Sequence, residues 1–481
     1  MLFNSFEFFI FLPIVFFIYW FITDKNLSVQ NVFIVIASYI FYGWWDWRFL
    51  SLIILSSLVD YSVGLGIGKT NDIAKRKILL FISIVVNIGC LAVFKYFNFF
   101  VESFYDVFTF FGKPISDPIV LNIILPVGIS FYTFQTLSYS IDTYRRKLQP
   151  TKDIVAFFAF VSFFPQLVAG PIERAVNLLP QFSKKRVFKY EEAVDGMRQI
   201  LSGFFKKIVI ADNCAIYVND TFSNYVDYSG STLLLGAIFF AFQIYGDFSG
   251  YSDIAIGTSR LFGFNLMRNF AFPYFSRDIA EFWRRWHISL TTWFRDYVYI
   301  PLGGSRGGAW LKIRNVFIIF IVSGFWHGAN WTFIVWGVLN AIYFLPIMLL
   351  GKNRVYTNTV TEGSCLPSSV ELIQMGRTFF FTVIAWIFFR SETVGDAFAY
   401  ISKIFSISLF SKPEIFPTQL ILFILLFVSV EWFQRDKQHA LQLSGRLFLL
   451  KKIRYSFYVF MVFCIYYAGN FNSYTFIYFQ F

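Results

Sequence analysis

The chain carries only three histidines, and they stand in different settings. His327 lies in Ser323-Gly324-Phe325-Trp326-His327-Gly328-Ala329-Asn330-Trp331, in the middle of a long apolar run. An ionisable side chain at such depth is costly unless it faces a cavity or finds partners. Two readings follow. The imidazole is neutral and hydrogen-bonded between packed helices, or it is a general base that takes a proton from a hydroxyl. Gly324, Gly328 and Ala329 remove bulk around it, which suits either close helix packing or a passage for a thin substrate. His287 stands in Glu281-Phe282-Trp283-Arg284-Arg285-Trp286-His287-Ile288-Ser289-Leu290. If this string is helical, Trp283 and His287 share a face at i and i+4. Arg284 and Arg285 could grip phosphate oxygens through their guanidinium forks, or act only as cytoplasmic-side anchors. His439, in a polar, basic loop after Trp432, reads as a solvated histidine.

A third group is acidic. Asp247 and Asp253 lie in Tyr245-Gly246-Asp247-Phe248-Ser249-Gly250-Tyr251-Ser252-Asp253. Two glycines and three hydroxyl residues predict a broken, polar intramembrane segment. It could bind a sugar hydroxyl, orient a histidine, or simply fix the break. The four cysteines, Cys90, Cys214, Cys365 and Cys464, show no paired spacing, and no metal-ligand spacing or Gly-rich phosphate loop appears. No bound metal or cofactor is expected.

The elements that must position these residues follow from composition. Of 481 residues, 57 % are apolar, 15 % are charged and 68 are Phe. A soluble domain carries roughly 25 % charge. The expectation is an all-α polytopic membrane protein, since the apolar runs exceed the length of barrel strands. The net charge of +12 then marks loops facing anionic lipid, and no nucleic-acid partner is expected. Met1 to Glu7 holds no Lys or Arg, so the run Phe8–Ile22 reads as a retained span rather than a cleaved signal. Further candidate spans are Asn31–Trp45, Phe49–Ile67, Ile78–Tyr96, Val120–Ile141, Ile200–Tyr217, Leu233–Tyr245, Asn315–Leu350, Arg377–Phe389, Leu420–Trp432 and Tyr455–Tyr467.

Basic clusters at Lys69–Lys77, Arg145–Lys152 and Arg435–Arg454 alternate with an acidic loop holding Glu102, Asp106 and Asp117. The positive-inside rule then puts both termini of this multi-pass protein outside the cytoplasm. Ile154–Ala169, basic on both flanks and holding Pro165, is expected to re-enter rather than cross. Phe270–Lys312, rich in Arg and aromatics, is expected to lie interfacially on the cytoplasmic side.

Several strings carry a resemblance. Trp283 to Gly304, with Arg284-Arg285-Trp286-His287-Ile288-Ser289-Leu290 and Tyr299-Ile300-Pro301-Leu302-Gly303-Gly304, resembles the membrane-bound O-acyltransferase superfamily, as does Gly324-Phe325-Trp326-His327-Gly328-Ala329-Asn330-Trp331. The opening Met1-Leu2-Phe3-Asn4-Ser5, Pro126-Val127-Gly128-Ile129-Ser130-Phe131, Ala169-Gly170-Pro171-Ile172 and Asp247-Phe248-Ser249-Gly250-Tyr251-Ser252-Asp253 are similar to its bacterial alginate O-acetyltransferase branch, which includes relatives acetylating cellulose or peptidoglycan. The likeness runs through the whole chain. It implies a single transmembrane domain, 1–481, in which a ring of tilted helices surrounds a central tunnel. It implies His327 as the catalytic histidine, His287 as its partner, a cytoplasmic acyl donor, acetyl-coenzyme A by analogy, and an extracytoplasmic polysaccharide acceptor. Trp326, Asn330, Asp247, Asp253, Arg284 and Arg285 are the candidate substrate contacts. A periplasmic acetyltransferase that finishes the transfer is the expected protein partner, beside membrane lipids.

The chain ends Phe476-Ile477-Tyr478-Phe479-Gln480-Phe481, similar to the Phe-x-Tyr-x-x-Phe ending of a small subunit serving D-alanyl-transferring relatives. Tyr478 in this tail, 476–481, is a candidate acyl carrier; the alternative is an interfacial aromatic belt. A competing function is a transporter or flippase for a lipid-linked sugar, using the same polar residues as a pathway and needing no base at His327. A scaffold that only docks a periplasmic enzyme is the third.

Overall fold

The computed structural model describes residues 1–112, 120–121, 124–442, 450–471 and 477. They are helical, with no strand among them. The chain divides into two compact units: 1–190 with 259–266, and 191–258 with 267–481.

In the first unit, α1 (Phe6–Phe17) starts where the Ser5 hydroxyl accepts the Phe8 N–H. Its outward residues Phe6, Phe9, Ile10 and Phe17 are exposed apolar side chains, a surface suited to lipid rather than water. Next come α2 (Leu27–Asp46), capped by Asn26, α3 (Leu50–Lys69), α4 (Ile73–Leu91), capped by Asp72, and α5 (Phe97–Phe110). The expected span Val120–Ile141 is shorter than read. Helix α6 runs only over Ile129–Tyr144 and is buried along almost its whole length. Pro126 and a left-handed Gly128 (φ +76°) precede it, and neither continues a helix backward. Ile154–Ala169 breaks into α7 (Ile154–Ser162) and α8 (Phe164–Leu167), each too short to cross about 30 Å of hydrocarbon. Helix α9 (Ala175–Phe182) follows. Asp60 is buried in this unit and accepts hydrogen bonds from Ser83, Ser140 (2.5 Å) and Asn87 (2.7 Å).

The second unit holds α10 (Tyr190–Phe204), a wide π turn over Phe205–Ala211, α11 (Asp212–Ser223) and α12 (Gly230–Leu261). The expected break at Gly246–Asp253 is absent: α12 runs through it as one helix of 32 residues. Its glycines serve close packing instead. A Cβ on Gly250 would stand 2.7 Å from the Gly203 carbonyl of α10, so the two backbones can approach only without it. Then come α13 (Ile279–Arg285), α14 (Ile288–Phe294), α15 (Ala309–His327), α16 (Trp331–Leu349), α17 (Ser369–Arg390), α18 (Val394–Ile404), α19 (Thr418–Phe433) and α20 (Lys451–Ala468).

Among the described residues, six helical stretches are long and apolar enough to cross a membrane: Leu27–Lys69, Ile73–Phe110, Gly230–Leu261, Ala309–His327, Trp331–Leu349 and Ser369–Arg390. The fold is an all-α polytopic membrane protein.

Candidate active site

Both motif histidines belong to the second unit, and each sits where a helix is interrupted. His327 is the last residue of α15. Gly328 leaves the helix in an extended conformation, and Asn330 restarts the chain as the N-cap of α16, its side chain accepting the Thr332 N–H. Asn330 also donates to the Glu392 carbonyl at 2.9 Å. The hairpin closes tightly because Gly324 has no side chain: a Cβ there would collide with the Phe333 carbonyl of α16. The small residues near His327 therefore serve packing. The buried imidazole meets three aromatic rings, Trp326 at 4.9 Å, Trp336 at 5.2 Å and Phe389 at 5.2 Å, each close to edge-on.

His287 is not on a continuous helix with Trp283. It stands between α13 and α14 at φ +43°, a left-handed conformation that costs a β-carbon residue of order 1–3 kcal/mol. The neighbouring segment holds it there. Asn269 accepts the Ile288 N–H at its carbonyl (2.8 Å), and Ala271 donates to the Arg285 carbonyl (2.9 Å). The Asn269 side-chain oxygen lies 3.0 Å from His287 Nδ1 and accepts the Ser289 hydroxyl at 2.9 Å. Asn269 Nδ2 then donates to Ser252 Oγ on α12 at 3.1 Å. With an oxygen at Nδ1, the tautomer carries its proton there, leaving Nε2 as a lone-pair site. Nε2 is buried and has no hydrogen-bond partner among the described residues. Burial pushes the imidazole pKa down to about 3, so the ring is neutral at ordinary pH.

The two histidines share a neighbour. The Trp326 ring lies 6.1 Å from His287 and 4.9 Å from His327. Phe248 of α12 packs edge-on against His287 at 4.6 Å. The result is a buried aromatic layer that holds two imidazoles, groups able to take a proton from a hydroxyl.

The other predicted residues are held by hydrogen bonds and ion pairs of their own. Arg284 donates to the carbonyls of Asn353 and Tyr356, both at 2.6 Å. Arg285 pairs with the buried Glu281 at 2.8 Å and reaches the Asn358 carbonyl at 2.9 Å. Both guanidinium groups thus tie α13 to the 353–358 loop. Asp253 is bridged by Lys206 (3.0 Å), which also pairs with Glu431 (3.0 Å). Asp247 is bridged by Lys207 (2.8 Å), which also pairs with Asp212 (2.8 Å). His439 is a correction: it is buried, not solvated, with Nε2 3.0 Å from Asp195, and it lines a small polar cavity with Lys206, Ser252, Asp253, Arg268 and Asn269. Tyr478 lies outside the described residues.

Sequence reasoning missed Asn269, Glu281, Lys206, Lys207 and Glu431. A signal existed for the last three, because each is an ionisable residue inside an apolar run, Phe204–Val209 or Leu420–Trp432. Asn269 and Glu281 carried no comparable mark.

Comparison with known proteins agrees with the motif strings. Residues 39–389 match MBOAT, the membrane-bound O-acyltransferase family. The chain is 39% identical over 411 residues to the "Probable alginate O-acetylase AlgI" of Pseudomonas aeruginosa, covering 85% of this chain and 75% of that protein. It is 40% identical over 402 residues to the protein of the same name from Pseudomonas syringae, covering 83% and 74%. It is 34% identical over 418 residues to the "Peptidoglycan O-acetyltransferase" of Helicobacter pylori, covering 81% and 76%. The chain belongs to the membrane-bound O-acyltransferase family and is a multi-pass membrane acyltransferase.

Proposed function

We propose that this acyltransferase draws an acetyl group from a cytoplasmic donor, acetyl-coenzyme A, and passes it across the bacterial plasma membrane for O-acetylation of a cell-surface polysaccharide of the alginate, cellulose or peptidoglycan kind. The relatives' names support the acetyl group and the polymer class. The observation that carries the chemistry is the placing of His287 and His327 against one Trp326 ring in a buried aromatic layer. In this reading the two units work as one transferase domain with a tunnel through it, and both termini lie outside the cytoplasm.

His327 is the base. It takes the proton from the attacking hydroxyl as the oxygen bonds to the acetyl carbonyl carbon. The carbon–sulfur bond of the thioester breaks, and the proton passes from His327 to the departing thiolate. His287, held at Nδ1 by Asn269, contributes a neutral imidazole to the same layer. Trp326 and Asn330 shape the site around His327, with Asn330 fixing the start of α16. The attacking hydroxyl is the Tyr478 phenol, which has an ordinary pKa of about 10 and becomes an aryl ester. A periplasmic transferase then moves acetate from that ester to a sugar hydroxyl.

Mass spectrometry of surface polymers from a strain lacking this chain tests the reading. Loss of O-acetyl groups from one polysaccharide is expected; an unchanged acetyl content in every surface polymer would refute it. Tyr478→Phe keeps the ring and removes only the hydroxyl, so a carrier role predicts loss of acetylation and an aromatic anchor predicts none.

A further inference from the structure

The buried ion pairs of the second unit have a neighbour that the proposed chemistry leaves unexplained. The wide π turn at Phe205–Ala211 sets two adjacent lysines in the interior, each between two carboxylates. Lys206 serves Asp253 and Glu431, and with Tyr245 donating to Glu431 (2.9 Å) that group is closed. The Lys207 group is not closed by side chains alone. Asp247 Oδ1 pairs with the Lys207 ammonium at 2.8 Å, and its other oxygen, Oδ2, accepts the backbone N–H of Ile477 at 2.7 Å. Ile477 is only 1% exposed, so this residue near the C-terminus is sunk into the protein.

The approach to it is stitched to the same π turn. Asn470 donates its backbone N–H to the Ile208 carbonyl (3.1 Å) and its side-chain amide to the Asp212 carbonyl (3.3 Å). Asn213 donates to the Ala468 carbonyl at 2.8 Å. The residue after Asp247 on α12 is Phe248, whose ring packs on His287.

We propose that Asp247 is the anchor of the C-terminal segment: a buried carboxylate, held in place by Lys207, that binds the backbone of Ile477 and so fixes that residue in the interior. It is a positioning residue for transfer, and this role rests on the reading of Tyr478 as acyl carrier. The recognition is of main chain by charge-assisted hydrogen bond. It therefore depends on an acceptor at 247 and an N–H at 477.

Four full-length chains in detergent micelles separate the possibilities: Asp247→Ala, Asp247→Asn, Ile477→Pro, and Asp247→Ala combined with Ile477→Pro. Ile477→Pro deletes the donor. Asp247→Asn keeps an acceptor oxygen. The expected result is that Asp247→Ala and Ile477→Pro each lower acetyl transfer from acetyl-coenzyme A at least tenfold, with kcat falling and the KM for acetyl-coenzyme A unchanged. The double variant is no worse than either single one, and Asp247→Asn retains most activity. Hydrogen exchange of the terminal peptide rises in Asp247→Ala and stays low in Asp247→Asn. Full acetylation in Ile477→Pro, multiplied losses in the double variant, or unchanged exchange in Asp247→Ala would each overturn the anchor. The exchange readout is blind to the Tyr478 hydroxyl. Raised exchange in Asp247→Ala together with full activity in Tyr478→Phe would therefore keep the anchor and remove the carrier.

Discussion

At the residue scale, the site pairs a histidine of normal backbone with a strained one. His287 is held left-handed by the Asn269 segment, and its Nδ1 partner is the Asn269 side chain. Asn269→Ala removes the group that orients the ring, and one hydrogen bond of roughly 1 kcal/mol corresponds to about a fivefold change in rate. A loss of fivefold or more in acetyl transfer, at unchanged protein level, is expected; the assay is acetyl content of the polymer per unit of protein. Burial also gives His287 a pH signature. Its pKa falls to about 3 in the fold against an ordinary value near 6.5. Between these values the unfolded chain binds a proton that the folded chain refuses. Stability is therefore fully present above about pH 6.5 and falls as pH drops, by at most about 1.4 kcal/mol per pH unit from this group. Thermal unfolding in detergent from pH 7 to 5 checks this, with His287→Gln expected to flatten the slope. Both histidines were legible in the sequence, because rare ionisable residues stood in aromatic and apolar surroundings. Asn269 was not, since its role arises only where residues 269–271 fold back beside 285–288.

At the element scale, the geometry of the proposed site depends on how closely α15 and α16 approach. The contact is made at Gly324, where any Cβ meets the Phe333 carbonyl. Gly324→Leu is expected to force the helices apart, at a cost of about 1–3 kcal/mol, and to displace His327 three residues further along α15. Acetylation should fall and the unfolding midpoint should drop. Gly89→Ala is the matched control, since a Cβ there meets nothing within 4 Å, and it should leave both readouts near wild type. Helix positions were legible from apolar runs and caps such as Asn26 and Asp72. The π turn and the continuity of α12 were not. Glycine and serine between Tyr245 and Asp253 read as breakers, whereas the structure uses Gly250 for a close backbone contact and buries Ser249 and Ser252. Short-range pattern does not distinguish a glycine that breaks a helix from one that lets a neighbour in.

At the scale of the whole molecule, membrane character was legible from composition, and family membership from motif strings spread along the chain. What the sequence left dark was the interior electrostatics, because the partners Lys206–Glu431 and Asp247–Ile477 are separated by more than two hundred residues. The proposed orientation puts the Phe270–Lys312 segment on the cytoplasmic side. A cysteine introduced at the exposed Ser305, in a Cys365→Ser background that removes the exposed native thiol, should resist an impermeant thiol reagent in intact cells and react after permeabilisation. Labelling in intact cells would reverse the orientation. The central claim is that His327 is the base of a membrane acetyl transfer. Its most direct measurement is the acetyl content of the surface polysaccharide in a His327→Ala strain, with the variant's accumulation in the membrane measured alongside. The account predicts normal accumulation and a loss of about 10²–10⁴-fold in acetylation, the contribution of a positioned acid–base group. Near-normal acetylation at normal accumulation would contradict it.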